Sequence, residues 1–334
     1  MVRRVVAVCV LIVLGLCAEV AAVGEAAAPS LVISPSARAW GLGQSFVAVA
    51  DDATAMYWNP GGLGLMEGTR FALTHSQLIP MLADDVYFET FNVCHNLPGI
   101  GTLGLSLVYL TYGKWWETTA GGEEVAEHTS YEFALGGYYA LDLSEWMGVG
   151  IGLKVVHVFL APATEATEYK EGSGTSFAAD IGILGHPLDW MSYGVAIQNL
   201  GPNMSFIQKE DSAPLPRTLR GGVAFIPIKG EQYSTLVSIE ATKALIGLDE
   251  IFSKGNFREL RRDATLNGGA ELTVAGLVSL RIGYIYDPDG KIDDWTRGIG
   301  ITVPVGGGLN FDYASVPKAE DLGREKKFSL NYKL

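Results

Sequence analysis

The chain offers few residues whose type and spacing are typical of catalysis or metal binding. The five histidines are scattered along the chain at His75, His95, His128, His157 and His186. They form no HExxH pair, the chain has no GxSxG nucleophile elbow, and Gly41-Leu42-Gly43 lacks the rest of a dinucleotide fingerprint. We therefore expect no enzyme, no metal site and no cofactor.

An acidic stretch at Asp287-Pro288-Asp289-Gly290, followed by Asp293-Asp294, loosely resembles a calcium loop. It lacks the spaced ligands and the closing Glu of an EF-hand. The Asp-Pro-Asp-Gly sequence favours a turn, with weak calcium binding at the cell surface as the alternative.

The N-terminus has the pattern of a secretory signal peptide. Arg3 and Arg4 precede an apolar core from Val5 to Leu16, and small residues follow. We assign residues 1–24 to this peptide, because the core is short for a membrane anchor helix, which is the alternative. A lipoprotein signal at Cys17 is disfavoured by the large Leu16 before it. The mature protein then keeps only Cys94, so no disulfide is expected.

The composition of the 334 residues indicates a membrane protein that crosses with strands. Hydrophobic residues make up 48% and charged residues 18%. Yet beyond the N-terminus no apolar run reaches the roughly 18 residues of a spanning helix. Apolar residues spread over alternate strand positions produce this combination. The net charge of −13 argues against a nucleic-acid partner.

From about Thr69 to the C-terminus, apolar and polar residues alternate with period two. Leu103, Leu105 and Leu107, for example, oppose Gly104 and Ser106. We count about fourteen such segments, each near the length of a tilted membrane strand. Their approximate centres are Leu73, Phe91, Leu105, Leu135, Leu153, Ala179, Val195, Val223, Ile239, Ala270, Ile282, Ile299, Phe311 and Leu330. Residues 69–334 are therefore predicted to form an all-β, transmembrane antiparallel β-barrel.

The connections between segments support this topology. Every second one is short and contains Gly, Pro or Asp, whereas most of the others, such as Lys114–Thr129 and Leu245–Asp263, are longer and polar. Bacterial barrels alternate short periplasmic turns with long outer loops. The alternation predicts an even strand number, with both barrel ends on the periplasmic side of the outer membrane.

Charged residues fall on the strand face opposite the apolar one. They are Glu132, Lys154, Asp180, Arg220, Glu240, Glu271, Arg281 and Asp312. In a membrane barrel the apolar face meets lipid, so these charges would line the lumen. A soluble periplasmic β-protein with the apolar face as its core is the alternative.

Residues 25–68 precede the first strand and are too apolar for a free tail. Asp51 or Asp52 can cap a short helix over Ala53–Tyr57, and the turn Asn59-Pro60-Gly61-Gly62 ends it. We expect this segment to plug the barrel as a hatch. Its Trp40, Tyr57 and Trp58 would pack in the lumen, with contact to an apolar ligand as the alternative.

One stretch of this hatch resembles a known family. Ala37-Arg38-Ala39, then Phe46 to Ala55, then Tyr57-Trp58-Asn59-Pro60-Gly61-Gly62-Leu63 look like the N-terminal signature of the PorV/PorQ family within the FadL-like outer-membrane barrels. That family usually has Asn-Pro-Ala-Gly-Leu, and Gly61 replaces the Ala here. The resemblance implies a fourteen-stranded barrel with an N-terminal hatch.

The resemblance also implies two functions for one scaffold. FadL-like members pass hydrophobic small molecules through a hatch-gated barrel, whereas PorV-like members serve type IX secretion, with a translocon and its cargo as partners. Outer-membrane lipid is an expected partner in both. The other hypothesis is a structural or adhesion barrel with a plugged lumen and functional loops.

Overall fold

Fourteen strands close into one antiparallel barrel in the computed structural model, which describes residues 26–80, 82–118, 121–163, 171–206, 212–245, 264–319 and 323–334. The signal peptide assigned to residues 1–24 lies outside these ranges. Neighbouring strands pair in chain order, and the first strand pairs with the last from Arg70↔Lys333 to His75↔Phe328. Closure removes the free edges that a bilayer would not tolerate.

The barrel strands are β1 (Thr69–Gln77), β2 (Val86–Leu97), β3 (Gly101–Thr118), β4 (Glu124–Ser144), β5 (Met147–Ala161), β6 (Gly172–Leu188), β7 (Met191–Leu200), β10 (Thr218–Phe225), β11 (Tyr233–Ala244), β12 (Thr265–Val274), β13 (Val278–Asp287), β14 (Ile292–Val303), β15 (Leu309–Pro317) and β16 (Arg324–Lys333). Two short strands, β8 (Met204–Ser205) and β9 (Ser212–Ala213), pair with each other between β7 and β10. Each of the fourteen predicted segment centres lies in a different barrel strand, so the predicted fold class is confirmed.

Alternation along the strands separates a lipid face from a lumen face. Leu105, Leu153 and Phe177 are 45%, 69% and 63% exposed on the outside of the barrel. Their neighbours along the chain, such as Ser106 and Ala178, are buried. A soluble β-protein would bury the apolar face instead. The outward apolar face therefore identifies a membrane barrel.

The two barrel ends differ in their connections. The turns after β2, β4, β6, β12 and β14 are short, and this side is here called the short-turn end. The opposite side is the long-loop end. The predicted loop Lys114–Thr129 is wrong in extent: β3 runs to Thr118 and β4 starts at Glu124, because cross-strand pairing continues through Trp115↔His128 and Trp116↔Glu127. The predicted loop Leu245–Asp263 lies almost wholly outside the described residues.

Exposed tryptophans mark both ends of the apolar band. Trp146 and Trp190 lie at the short-turn end, and Trp295 lies near the start of β14 at the long-loop end. Trp prefers membrane interfaces, which fits this placement. Within the described residues, no helix combines the length and the apolar character that crossing a membrane would need.

The segment before β1 fills the lumen. It contains two short helices, Ala37–Gly41 and Ala55–Trp58, and two 3₁₀ turns, Pro29–Val32 and Pro60–Leu65. The second helix begins two residues later than predicted. Asp52 does not cap it; its carboxylate accepts hydrogen bonds from the backbone N–H of Thr54 at 2.8 Å and from the Thr54 hydroxyl. Such a side-chain turn competes with helix at that position.

Candidate functional site: the hatch and its seat in the barrel

Asn59 fixes the hatch turn to the barrel wall. Its side-chain amide donates to the carbonyls of Val47 in the hatch and of Ile183 in β6, each at 2.9 Å. Its side-chain oxygen accepts from the backbone N–H of Gly61 at 3.1 Å. The whole residue is buried. One side chain thus satisfies three backbone groups that would otherwise be left unpaired away from water.

The hatch turn meets the wall backbone to backbone. A Cβ on Gly61 would come within 2.7 Å of the Leu184 nitrogen in β6, and one on Gly64 within 2.4 Å of the Leu141 carbonyl oxygen in β4. The wall is matched to it, since a Cβ on Gly150 would lie 2.2 Å from the Pro60 carbonyl oxygen. Only residues without a side chain permit this approach.

The same contact recurs around the lumen. Gly182 faces the side-chain oxygen of Asn59, and Gly194 faces the carbonyl of Val47. Gly269 and Gly283 face the backbone of Leu42 on the other side of the barrel. These wall glycines were not predicted as part of the site. The sequence signal that could have found them is Gly at lumen-facing strand positions. Gly in a strand interior weakens the strand and often marks a site where another backbone approaches closely.

A buried ion pair on the barrel wall binds the middle of the hatch. Arg220 and Glu240 lie on the neighbouring strands β10 and β11, and a guanidinium nitrogen of Arg220 is 3.0 Å from a carboxylate oxygen of Glu240. The other oxygen of Glu240 accepts from the backbone N–H groups of Phe46 and Val47 at 2.7 and 2.8 Å. The Arg220 guanidinium also lies 4.8 Å from the ring centre of Trp58. Each charge therefore has hydrogen-bond partners, which a buried ion pair requires.

A second charged cluster holds the first hatch helix. Arg38 donates two bonds to Glu271, both at 3.0 Å, and a further bond to Asp51 at 2.6 Å. On the wall, Arg281 bridges Glu271 to Asp312, the latter at 2.7 Å. The acidic partners raise the pKa of Arg38 well above its ordinary value, although burial alone would lower it. A bidentate Arg–carboxylate pair gives both strength and geometry to this attachment.

The remaining predicted charges, Glu132, Lys154 and Asp180, lie on the neighbouring wall strands β4, β5 and β6. Glu132 accepts the backbone N–H of Ser30 at 3.0 Å and also a bond from the Tyr112 hydroxyl. Lys154 pairs with Asp180 at 2.8 Å, and Asp180 accepts the backbone N–H of Asn199 at 2.8 Å. The Asp180 pair thus joins wall strands to one another, whereas Glu132 joins the wall to the hatch.

The predicted aromatic residues pack in the lumen. Trp58 is completely buried, with its ring centre 5.8 Å from that of Phe46. Tyr57 donates its hydroxyl to the Val32 carbonyl at 2.9 Å. Trp40 is half-buried and carries the ammonium of Lys327 5.0 Å from its ring centre. Lys327 was not predicted, because it lies in an ordinary run of charged residues in the sequence.

Two separate cavities in the lumen are lined by described residues. A polar one of about 290 Å³ opens at the short-turn end between hatch and wall and is lined by Arg38, Asp51, Asp52, Arg70 and Lys333 among others. A small one of about 20 Å³ lies deeper, beside Leu31, Tyr57 and Phe88. They share no lining residue. The smaller one is close to the size of one water molecule.

Next to the small cavity, the long-loop half of the lumen carries an apolar pocket. Its wall consists of Ala134, Val156, Val158, Ala178, Met204 and Leu215. The chain's own Ala27, Ala28 and Leu31 occupy it, and the Ala27 N–H donates to the Pro214 carbonyl at 2.8 Å. A larger buried apolar cluster, which includes Leu42, Phe46 and Trp58, surrounds the hatch helices.

Together, the barrel and its seated N-terminal segment define a class of protein: a plugged membrane β-barrel. The chain belongs to the family described as type IX secretion system protein PorV, whose model matches residues 18–250. No curated protein sequence matches it.

Solved structures share the fold. The toluene transporter TbuX of Ralstonia pickettii matches with a TM-score of 0.56 at 13% identity, over 90% of this chain and 98% of that one. The CymD monoaromatic hydrocarbon channel matches with a TM-score of 0.55 at 12% identity, over 92% and 99%. A FadL homologue of Pseudomonas aeruginosa gives 0.52 at 13%, over 90% and 98%. At these identities the likeness concerns architecture alone.

Proposed function

We propose that this protein is an outer-membrane accessory barrel of type IX secretion, which docks cargo or translocon while its own lumen stays closed. The observation that carries the proposal is the way in which the hatch is held. Buried charges at Glu240 and Glu271 and the Asn59 amide attach it to three wall strands, β11, β12 and β6. A segment held by so many buried polar contacts is suited to sealing a barrel.

The family description supports the secretion role, and the proposed partners follow from it. They are a secretion translocon, its cargo and outer-membrane lipid. The mechanism requires no covalent chemistry. The seven connections at the long-loop end would face the cell exterior and carry the docking contacts, because strand ends hold loops at fixed spacing around the barrel.

The second candidate is hatch-gated passage of small hydrophobic molecules. The apolar pocket that now holds Ala27, Ala28 and Leu31 favours it, because a hydrophobic molecule could displace these residues. The solved structures with a similar fold include a toluene transporter and a monoaromatic hydrocarbon channel. The earlier alternative of a structural or adhesion barrel has no described contact in its favour.

A locked hatch separates the two mechanisms. The hydroxyl oxygen of Ser329 in β16 lies 3.1 Å from the backbone nitrogen of Ala37 in the hatch, and Ala37 is buried against this wall. We suggest the double variant Ala37→Cys with Ser329→Cys, oxidised to cross-link hatch and wall. Docking with a closed lumen predicts that cells carrying the oxidised variant still secrete type IX cargo.

The controls are the two single-cysteine variants and the reduced double variant, with Cys94 left in place because it is buried. Loss of secretion only in the oxidised protein would contradict the closed-lumen mechanism and favour a moving hatch. Uptake of toluene into liposomes that contain the purified protein tests the second candidate. Because toluene also enters a bilayer by itself, uptake is compared with that of protein-free liposomes. An increase caused by the protein should be absent in the docking mechanism, and should be present and blocked by the cross-link in the passage mechanism.

A further inference from the structure

A slot on the outside of the barrel lies across the seam where β1 meets β16. Its volume is about 670 Å³, larger than either lumen cavity described above. It spans six strands, from β3 through β2, β1, β16 and β15 to β14. The seam is thus concave toward the membrane, whereas a regular barrel presents a convex surface there.

Two rungs of outward side chains line the slot, as the strand register shows. The lower rung is entirely apolar: Leu107, Phe91, Leu73, Leu330, Phe311 and Ile301. The upper rung consists of Tyr109, Glu89, His75, Phe328, Tyr313 and Ile299. The half of the upper rung on β14–β16 is apolar and aromatic. The slot therefore offers a continuous apolar floor from Leu73 to Ile301.

The polar residues of the upper rung lie on β1 and β2. His75 and Glu89 form a pair at 2.9 Å, and both side chains are about half exposed. Because these two side chains are bonded to each other, we do not assign them a contact with a ligand. The remaining binding chemistry has to come from the rim.

The rim toward the long-loop end carries Arg297 and Lys326, and Arg324, which is paired with Asp294, donates a hydrogen bond to Ser315 between them. Arg297 pairs with Ser315 in the register, and Ser315 pairs with Lys326, so both cations lie one rung beyond Ile299, Tyr313 and Phe328. Arg297 and Lys326 are exposed and outward-facing. Among the described residues, neither cation forms an ion pair, since the nearby Asp294 and Glu325 pair with Arg324 and Lys327. Trp295, two residues from Arg297, places this rim at the membrane interface.

We propose that the slot binds one phosphate-bearing membrane lipid. Its phosphate lies between Arg297 and Lys326, and one acyl chain lies along the floor over Phe328, Phe311 and Leu73. The argument is one of complementarity: a pair of cations at interface depth stands directly above an apolar slot. Cationic side chains near the membrane interface attract anionic headgroups, and an acyl chain fills a concavity that a convex annular shell would leave poorly packed.

The test uses the full-length mature protein in nanodiscs, followed by release and native mass spectrometry to count retained lipid. The probes are phosphatidylglycerol, a galactolipid with the same acyl chains but no phosphate, and inorganic phosphate as a competitor. We expect one phosphatidylglycerol to be retained at least tenfold more than the galactolipid. Displacement by inorganic phosphate without any effect of acyl chains would mean an anion site only and would overturn the proposal.

Variants assign the site within the protein. The double variant Arg297→Gln with Lys326→Gln, and separately Leu73→Trp, which fills the slot, should each reduce retention at least tenfold. Matched controls are Lys114→Gln with Lys229→Gln, which removes two exposed cations elsewhere, and Leu153→Trp on the lipid face of β5. The controls should retain lipid as the original protein does.

Folding of every variant is checked by its heat-modifiable migration, and the headgroup comparison on the unmodified protein stands even if a variant fails to fold. Equal retention of the two lipids, or equal loss in variants and controls, would overturn the proposal. The proposal would also be overturned if cross-linking from Leu73→Cys captured a second protein chain in the slot and no lipid was retained.

Discussion

At the scale of single residues, Glu240 shows how a buried charge can attach the hatch to the barrel wall. The two carboxylate oxygens of Glu240 have different partners: one pairs with Arg220, and the other accepts hydrogen bonds from two hatch N–H groups. Because the residue is completely buried, neither task can be taken over by water. The wall therefore holds the hatch backbone directly at positions 46 and 47.

We predict that Glu240→Gln will loosen the hatch strongly. Gln keeps one acceptor but presents an amide where the second acceptor is needed, and Arg220 stays buried without its counter-charge. Breaking a buried pair in this way costs about 3–5 kcal/mol. Protease cleavage within the hatch of the detergent-solubilised barrel should report it. The matched variant Glu127→Gln breaks the exposed pair with Lys114 and should change cleavage little, by at most about 1 kcal/mol.

Asp52 gives the hatch a pH dependence. Burial, followed by the neighbouring Asp51 charge, raises the pKa of its carboxyl to about 6. An acid with a raised pKa holds its proton in the folded state over a range in which the unfolded chain has released it. The seated hatch should thus be favoured below about pH 4, and this contribution should be lost as the pH rises through about 6. The same hatch cleavage, measured from pH 4 to pH 7, should increase with pH. Asp52→Asn should flatten this profile, and an unchanged profile would contradict the assignment.

At the scale of elements, the glycine contacts decide how closely hatch and strands approach. Gly150 on β5 leaves room for the Pro60 carbonyl, and Gly194 on β7 leaves room for the Val47 carbonyl. The wall therefore has a recess that follows the path of the hatch backbone. The short helix Ala55–Trp58 needs no strong capping of its own, because the recess and the Asn59 amide fix its end.

We predict that Gly150→Ala will displace the hatch turn while leaving the barrel intact. The added methyl would meet the Pro60 carbonyl oxygen at 2.2 Å, which forces a backbone shift that typically costs about 1–3 kcal/mol. Conductance of single barrels in planar bilayers should show more frequent opening. Gly137→Ala on β4 is the control, since its methyl has no neighbour within 4 Å. Equal conductance of the two variants would argue against a tight seat.

At the scale of the whole molecule, the arrangement is inside out relative to a soluble protein. Large apolar side chains such as Leu153 and Phe177 face outward, while Glu132, Asp180 and Glu240 are almost completely buried inside. Closure of the barrel pairs the strand backbone groups, which could not hydrogen-bond to lipid. The hatch fills the polar lumen that closure creates. Most buried charges of the described strands thereby face the lumen, whereas the pair His75–Glu89 is an outward-facing exception.

We predict that insertion will depend on the depth of a charge on the lipid face. Leu153→Arg, in the middle of β5, should destabilise the inserted barrel by about 2–4 kcal/mol, because the side chain would face the bilayer core. Leu143→Arg, next to the short turn after β4, should cost about 0–1 kcal/mol. Both leucines are well exposed, at 69% and 57%. Folding into lipid vesicles under a urea titration gives the two values, and similar costs would contradict the assigned membrane position.

The sequence by itself determined the barrel, because the information is local and repeated. Alternation with period two indicates where a strand runs and which face is apolar, and it does so about fourteen times, so an error at one strand leaves the architecture unchanged. The turn residues add the order of long and short connections. The extended hairpin of β3 and β4 was missed, since polar residues outside the membrane also pair as strands.

Only the tertiary structure decided how the hatch is seated. The carboxylate of Glu240 and the N–H of Phe46 are 194 residues apart, and no local pattern specifies which of the lumen charges will meet a given hatch atom. The wall glycines look like ordinary strand breakers until another backbone is placed against them. The lipid slot likewise depends on the curvature of the seam between the first and last strands. Such contacts arise from closure of the whole barrel, and closure brings together residues that are distant in the chain.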